Sequence, residues 1–358
     1  MAYGADNPAF DPFTVTIDLP EATDEPGLLV GPTTWFADRI RPRVEFIIVP
    51  PLPHPAASAS LTFSPEVRAP SVNRKPLWKR HRLPLAPVTL DPRVLWLDAR
   101  PRNPLNWSHA LNQILPLAIK ARSELEARGI DRPMGLITQP TLSATSESIF
   151  RYFGFEIAKH HNPIEAPKIL FEQTSKRVCR ELGTIWMQME QEKVAAFARS
   201  VGETPKKVFI NRRGTRTISN NDAIEALLHA RGFQTVFPED LSAEEQFALF
   251  RNAEEVVAIH GAGLAPLIFR ENDAPKLRLI EIFTPGHVVF FYNTIVREKN
   301  VDHIGVRGIP EREMLPDAFD RAMDHQRFAK RFSLKAFAVD PAALEAALDP
   351  EILKVFGR

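Results

Sequence analysis

The sequence predicts an α/β protein of two domains, the second of them a doubly wound parallel sheet. Three observations carry this. The chain has 358 residues, 44% of them hydrophobic, which is enough for two packed cores and too apolar for disorder. From about residue 207 short apolar runs alternate with amphipathic stretches of helical period, and such alternation requires crossover connections between parallel strands. Proline is abundant, 32 residues, and many fall before residue 105 in stretches such as Pro50-Pro51-Leu52-Pro53, where long helices are forbidden.

In chain order, Val44–Val49 and Val94–Leu97 are compact apolar runs bounded by proline or charge, the pattern of buried strands. Ser108–Arg128 places Leu111, Leu115, Ile119 and Leu125 at helical spacing, with Pro116 as a kink or restart. A strand at Met134–Thr138, a helix near Ser146–Phe153 and a strand around Lys168–Phe171 follow. A long amphipathic helix, Thr184–Val201, opens the second half. Strands are then expected at Lys207–Ile210, Thr235–Phe237, Val256–Ile259 and Arg278–Phe283, with helices at Asn221–Arg231, at Ala243–Ala253 and after Gly263. Two helical stretches close the chain, including Pro341–Leu348 with Asp340 as N-cap. That segment is expected to brace the first domain or to mediate oligomerisation.

Charge and composition exclude several classes. Lys and Arg total 45 against 44 Asp and Glu, so there is no basic field for nucleic acid. The single Cys179 cannot form an internal disulfide, which fits a reducing cytoplasm. The first forty residues carry seven acidic side chains, Asp6, Asp11, Asp18, Glu21, Asp24 and Glu25 among them, before Arg39, the reverse of a secretory leader. The longest apolar run, Val256–Phe269, is broken by His260, Gly261, Gly263 and Pro266 and is too short to cross a bilayer. A soluble cytoplasmic chain is expected, with peripheral contact at the inner face of the membrane and homo-oligomerisation both left open.

Four motifs carry chemistry. His260-Gly261-Ala262-Gly263-Leu264 follows an all-apolar strand, and its glycines let backbone N–H groups approach an anion such as a diphosphate. It is not a dinucleotide fingerprint, since Pro266 stands where the third glycine would fall. Asn211-Arg212-Arg213-Gly214-Thr215-Arg216 follows the strand ending at Ile210, and its guanidinium groups suit bidentate phosphate contacts. Glu281, inside an apolar strand, needs donors, which ribose hydroxyls or a buried salt bridge would supply. Asn106-Trp107-Ser108-His109, at a helix start, offers an imidazole able to exchange protons near neutral pH. No metal motif of the H-E-x-x-H, Cys-cluster or Asp-x-Asp type is present, and His160-His161 reads as surface.

In this order the pieces resemble glycosyltransferase family 61, whose members include bacterial capsular polysaccharide enzymes, plant xylosyl- and arabinosyltransferases and animal N-acetylglucosaminyltransferases. The resemblance spans roughly Asn106 to Val306 and is sharpest over Val208–Phe269, where the arginine loop, Asn220-Asn221, Gly232-Phe233, Pro238-Glu239, Glu245-Gln246, Ala253 and HGAGL stand in the family's order. It implies a GT-B architecture of two facing Rossmann-like domains. These would be an acceptor-side domain at 1–175, a nucleotide-sugar domain at 176–315 and a C-terminal helical segment at 316–358. It also implies inversion without an obligatory metal or other cofactor, the nucleotide-sugar (a UDP-sugar is expected) being a co-substrate. Arg212 or Arg213, with Arg216, would neutralise the diphosphate. His260, Gly261, Ala262, Gly263 and Leu264 would cradle it, and Glu281 would hold the ribose. The acceptor would be a glycan, a lipid-linked sugar or a protein.

The chain departs from the family where an Asp is expected four residues after the helix-start His, for it has His109 and then Gln113. An amide cannot take the acceptor proton as a carboxylate would. His109 is therefore the first candidate base, with Asp98 and Glu239 behind it and Asn106 and Gln113 as acceptor-side neighbours. The same departure motivates a second reading, a catalytically silent nucleotide-sugar-binding subunit that partners an active transferase. A third is a protein-modifying glycosyltransferase.

Overall fold

The computed structural model describes residues 10–19, 22–23, 27–31, 45–49, 53–54, 56–66, 85–173, 191–272, 274–285, 287–288, 291–296, 299–309 and 333–352. The chain forms two compact units, Met1–Glu21 with Pro55–Met189, and Ala22–His54 with Glu190–Arg358. Both are mixed α/β. Cys179 and the start of the expected Thr184–Val201 helix lie outside the described residues; Gln191–Arg199 is helical.

The first unit holds a six-stranded sheet in the order Phe13–Leu19, Ala57–Glu66, Lys168–Gln173, Leu95–Asp98, Met134–Thr138, Glu156–Lys159. The last four are mutually parallel and the first two pair antiparallel. Met134–Thr138 is buried throughout, as its unbroken apolar run requires of a parallel strand covered on both faces. The helix after Leu95–Asp98 is built in three pieces: a turn Trp107–His109 capped by Asn106, a π-helical turn Ala110–Ile114, and Leu115–Glu126. Pro116 explains the break. It has no N–H for the Asn112 carbonyl, and its ring would clash there, so the preceding turn widens and Leu115 N–H donates to the Ala110 carbonyl.

The second unit holds a seven-stranded sheet in the order Gln234–Val236, Lys207–Ile210, Glu255–Ile259, Leu277–Phe283, Val301–Arg307, Gly27–Gly31, Glu45–Val49. All neighbours are parallel except the last pair, an antiparallel addition from the proline-rich N-terminal part of the chain. Helices Asn221–Ala230 and Ala243–Asn252 make the crossovers, the second closed by a Ser242–Glu245 capping box.

One expectation is refined here and one changes. The helix expected after Gly263 is present, as a 3₁₀ helix, Ala262–Phe269. Pro266 removes the α-type bond to Ala262, and the chain winds tighter, with Leu264 N–H on the Gly261 carbonyl and Arg270 N–H on that of Leu267. Helix Pro341–Leu348, capped by Asp340, packs into the core of the second unit itself. Its Leu344, Ala347 and Leu348 are buried with Leu28, Val30, Ile304 and Phe337, which accounts for its apolar face without a partner. Among the described residues no helix is long and apolar enough to cross a membrane.

Candidate functional site

From the strand Lys207–Ile210 the chain first crosses outward to Gln234–Val236 and then returns to Glu255–Ile259 on the opposite side. The strand order reverses between those two neighbours, and ligands of open α/β sheets bind beyond the carboxyl ends of the strands at such a point. The two loops that leave it are the arginine loop and the HGAGL turn. They meet through hydrogen bonds: Arg212 Nη1 and Arg216 Nη1 both donate to the His260 carbonyl oxygen, at 2.9 and 3.0 Å. Arg216 Nε also donates to the Ser333 carbonyl at 2.7 Å.

The three arginines separate into two kinds. Arg213 is exposed, donates to Asp240 Oδ1 at 2.6 Å and lies over the Phe237 ring; that bond raises its pKa. Arg212 and Arg216 form no ion pair among the described residues. Burial pushes both their pKa values down, and Arg212 itself adds to the effect on Arg216, while the exposed Glu239 acts on Arg212 in the opposite sense. Two half-buried guanidinium groups with no carboxylate bonded to them among the described residues are suited to an anion. Asn211 anchors the loop from below. Its amide donates to Asn221 Oδ1 and Glu225 Oε1, and its own Oδ1 accepts from Arg212 N–H.

Under this loop junction lies a buried imidazole–carboxylate–imidazole array. Glu281 is 0% exposed. Its Oε1 is 2.6 Å from His260 Nδ1 and its Oε2 is 2.8 Å from His303 Nε2. Burial alone would raise the Glu281 pKa, but the hydrogen bonds from His260 and His303 outweigh it and hold the carboxyl below its ordinary value. The ionised carboxylate only accepts, so His260 carries its proton on Nδ1 and keeps Nε2 for other partners. Fully buried and hydrogen-bonded to both imidazoles, Glu281 supports His260 from within the sheet.

The turn itself demands glycine. Gly261 has φ +158 and ψ −168, and a Cβ built there would run into the Arg212 guanidinium. A Cβ on Gly263 would press on Pro238 at 3.0 Å. Tyr292 Oη donates to the Gly261 carbonyl at 2.7 Å. The rings of Phe283, His287 and Tyr292 lie 5.4, 5.6 and 6.0 Å from that of His260. Ala262 and Leu264 belong to the 3₁₀ helix, with Leu264 buried.

The first unit holds the other candidates. His109 Nδ1 lies 3.3 Å from the Arg102 carbonyl; a carbonyl only accepts, so the ring donates there and Nε2 keeps its lone pair. Asn106 is spent on capping, accepting from Ser108 and His109 N–H. Gln113 sits half-buried on the π-helical turn. Asp98 is committed to Arg100, which donates to both carboxylate oxygens at 2.9 and 2.6 Å. Both of its oxygens are thus engaged in a structural pair.

Sequence reasoning missed His303, His287 and Tyr292, and it gave Asn211 no role of its own within the arginine loop. His303 lies on Val301–Arg307, whose polar Asp302, His303 and Arg307 dilute the apolar signal of a strand. The buried Glu281 was the available clue, since it called for donors from a neighbouring strand, and in the sheet Leu279 pairs with His303.

Among known proteins, the profile of the family described as Glycosyltransferase 61 matches residues 43–277. A stretch of 126 residues is 21% identical to the xylan glycosyltransferase MUCI21 of Arabidopsis thaliana, covering 34% of this chain and 26% of the relative. A stretch of 95 residues is 26% identical to the β-1,2-xylosyltransferase XAX1 of Oryza sativa subsp. japonica, covering 26% of this chain and 17% of the relative. The matches thus span about a quarter of the length of one relative and under a fifth of the other.

Proposed function

We propose, since this chain belongs to the Glycosyltransferase 61 family, that it transfers a sugar from a nucleotide-sugar donor to a glycan or lipid-linked acceptor, with inversion and without a metal. The reading takes the two units as the halves of a GT-B enzyme, the second holding the donor. The observation that carries it is the convergence of Arg212 and Arg216 on the His260 carbonyl at the strand-order reversal. Those guanidinium groups would take the negative charge that appears on the diphosphate as its bond to the anomeric carbon breaks. The turn at Gly261 would let a phosphate approach the backbone closely. The acceptor oxygen would attack from the opposite face and give its proton to His109. A bacterial role in surface or capsular polysaccharide synthesis at the cytoplasmic face of the membrane is consistent with this chemistry.

The names of the relatives make UDP-xylose the first donor to try. The test is transfer or donor hydrolysis by purified protein in EDTA, with a panel of nucleotide sugars. Turnover without added metal supports the reading, and activity that needs Mn²⁺ or Mg²⁺ refutes its metal-independent part. A second reading, a silent donor-binding subunit, is favoured by two observations in the first unit: Gln113 where a carboxylate is expected, and Asp98 already committed to Arg100. Donor binding with no transfer to any acceptor would establish it.

A further inference from the structure

Beside Arg212 and Arg216, which form no ion pair among the described residues, stands a group that neither the motif nor the family resemblance points to. His287 follows the strand Leu277–Phe283 on a tight turn, with its N–H on the Thr284 carbonyl at 3.1 Å. Its ring meets the His260 ring edgewise at 5.6 Å between centroids. Each element around it contributes a titratable or charged group. The arginine loop brings Arg216, and His260 comes from the HGAGL turn. The helix Phe291–Val296 supplies Tyr292, and Val301–Arg307 ends in Arg307, whose guanidinium donates to the Pro285 carbonyl at 3.4 Å. The nearest buried carboxylate, Glu281, has both oxygens engaged by His260 and His303.

Resting on the diphosphate reading of this site, we propose that His287 is its third cation, which is neutral when the site is empty and takes a proton from solvent when the terminal phosphate of a nucleoside diphosphate seats between it and Arg216. The physical reason is the sign of the local field. In the empty site burial, then His260 and Arg216, push the His287 pKa below its ordinary value. A phosphate dianion beside Arg216 reverses that field, and the imidazole gains an acceptor for a second N–H donor. Binding and protonation are then linked: the complex holds a proton that the free protein lacks.

The experiment is calorimetric titration of the full chain with UDP, near neutral pH, in several buffers of different ionisation enthalpy. The wild-type protein should take up as much as about one proton per UDP bound, and its affinity should weaken by up to about tenfold per pH unit as pH rises between the pKa of His287 in the free protein and its higher pKa in the complex. His287→Gln should bind with that uptake abolished and a flatter pH dependence. His287→Arg, a permanent cation, should bind with no uptake and with affinity restored at higher pH. Equal uptake in wild type and His287→Gln overturns the inference, as does wild-type binding with no uptake. Failure of the wild type to bind UDP or any other nucleoside diphosphate overturns the diphosphate reading, and this inference with it.

Discussion

Arg212 and Arg216 share one acceptor, the carbonyl oxygen of His260, at 2.9 and 3.0 Å. Two cations so placed lie within about 6 Å of each other and repel by about 3 kcal/mol at an effective dielectric constant of about 20. An isolated carbonyl relieves only part of that. On the diphosphate reading, an anion between them would cancel it.

Replacing either arginine should therefore weaken nucleotide binding. Charge-assisted bonds to phosphate contribute about 1.5–3 kcal/mol each, so Arg212→Ala and Arg216→Ala should each lose tenfold or more in UDP affinity. Arg213→Ala should change it little, because that side chain is exposed and engaged by Asp240 and Phe237. Calorimetry on the three variants decides. A large loss for Arg213→Ala with none for Arg216→Ala would place the phosphate on the outer side of the loop.

Gly261→Ala tests the same junction from the backbone side. The added methyl would displace the Arg212 guanidinium, the far end of a flexible side chain, so the fold can absorb it by moving the arginine. Affinity for UDP should fall by an amount like that of Arg212→Ala, and the positive φ at Gly261 should add about 1–3 kcal/mol of backbone strain that lowers the melting temperature. A folded variant with unchanged UDP affinity would separate the turn from nucleotide binding.

The buried array predicts an acid limit to stability. The folded-state pKa of Glu281 lies below the ordinary value, about 4.3 for glutamate. Its contribution is therefore fully present above that value and is lost as pH falls through the folded-state pKa. Glu281→Gln offers one acceptor and one donor to two imidazoles, so one hydrogen bond turns unfavourable. Stability at neutral pH should drop by about 1–3 kcal/mol, and the decline below about pH 4.3 should become shallower than in wild type. Urea midpoints measured across pH would reveal a parallel acid limb if Glu281 were not the group concerned.

Much of this was legible in the sequence wherever a short apolar run is bounded by charge or proline. Lys207–Ile210 and Met134–Thr138 appear at their expected bounds, and the two loops that meet at the His260 carbonyl follow from the strand ends they extend. What escaped depended on partners far along the chain. Gly27–Gly31 and Glu45–Val49 join the second sheet beside Val301–Arg307, and nothing in a local pattern indicates that edge. Glu281 reads the same whether a ribose or two imidazoles supply its donors, and only the position of His303 decides. The division of labour among Arg212, Arg213 and Arg216 rests on where Asp240 and Phe237 fall in space.

The proton acceptor remains the sharpest test of the enzyme reading. An inverting displacement needs one base on the acceptor side, and the side chain expected to be a carboxylate is Gln113. Asp98 is held by two side-chain hydrogen bonds and one backbone hydrogen bond from Arg100, which tie its carboxylate into a structural pair. His109 points its Nδ1–H at the Arg102 carbonyl and so keeps Nε2 as an acceptor, the tautomer a general base requires. A positioned base contributes about 10² to 10⁴ in rate. His109→Ala should lower turnover by that order and leave UDP affinity nearly unchanged, a loss in kcat with donor binding intact. Asp98→Asn should cost far less in turnover, the Arg100 pair being structural. Full turnover in His109→Ala would remove His109 from the mechanism and turn attention to Glu239. If the wild-type protein binds donor without transferring it, and Gln113→Asp creates transfer, the chain is a silent binder whose missing base has been restored.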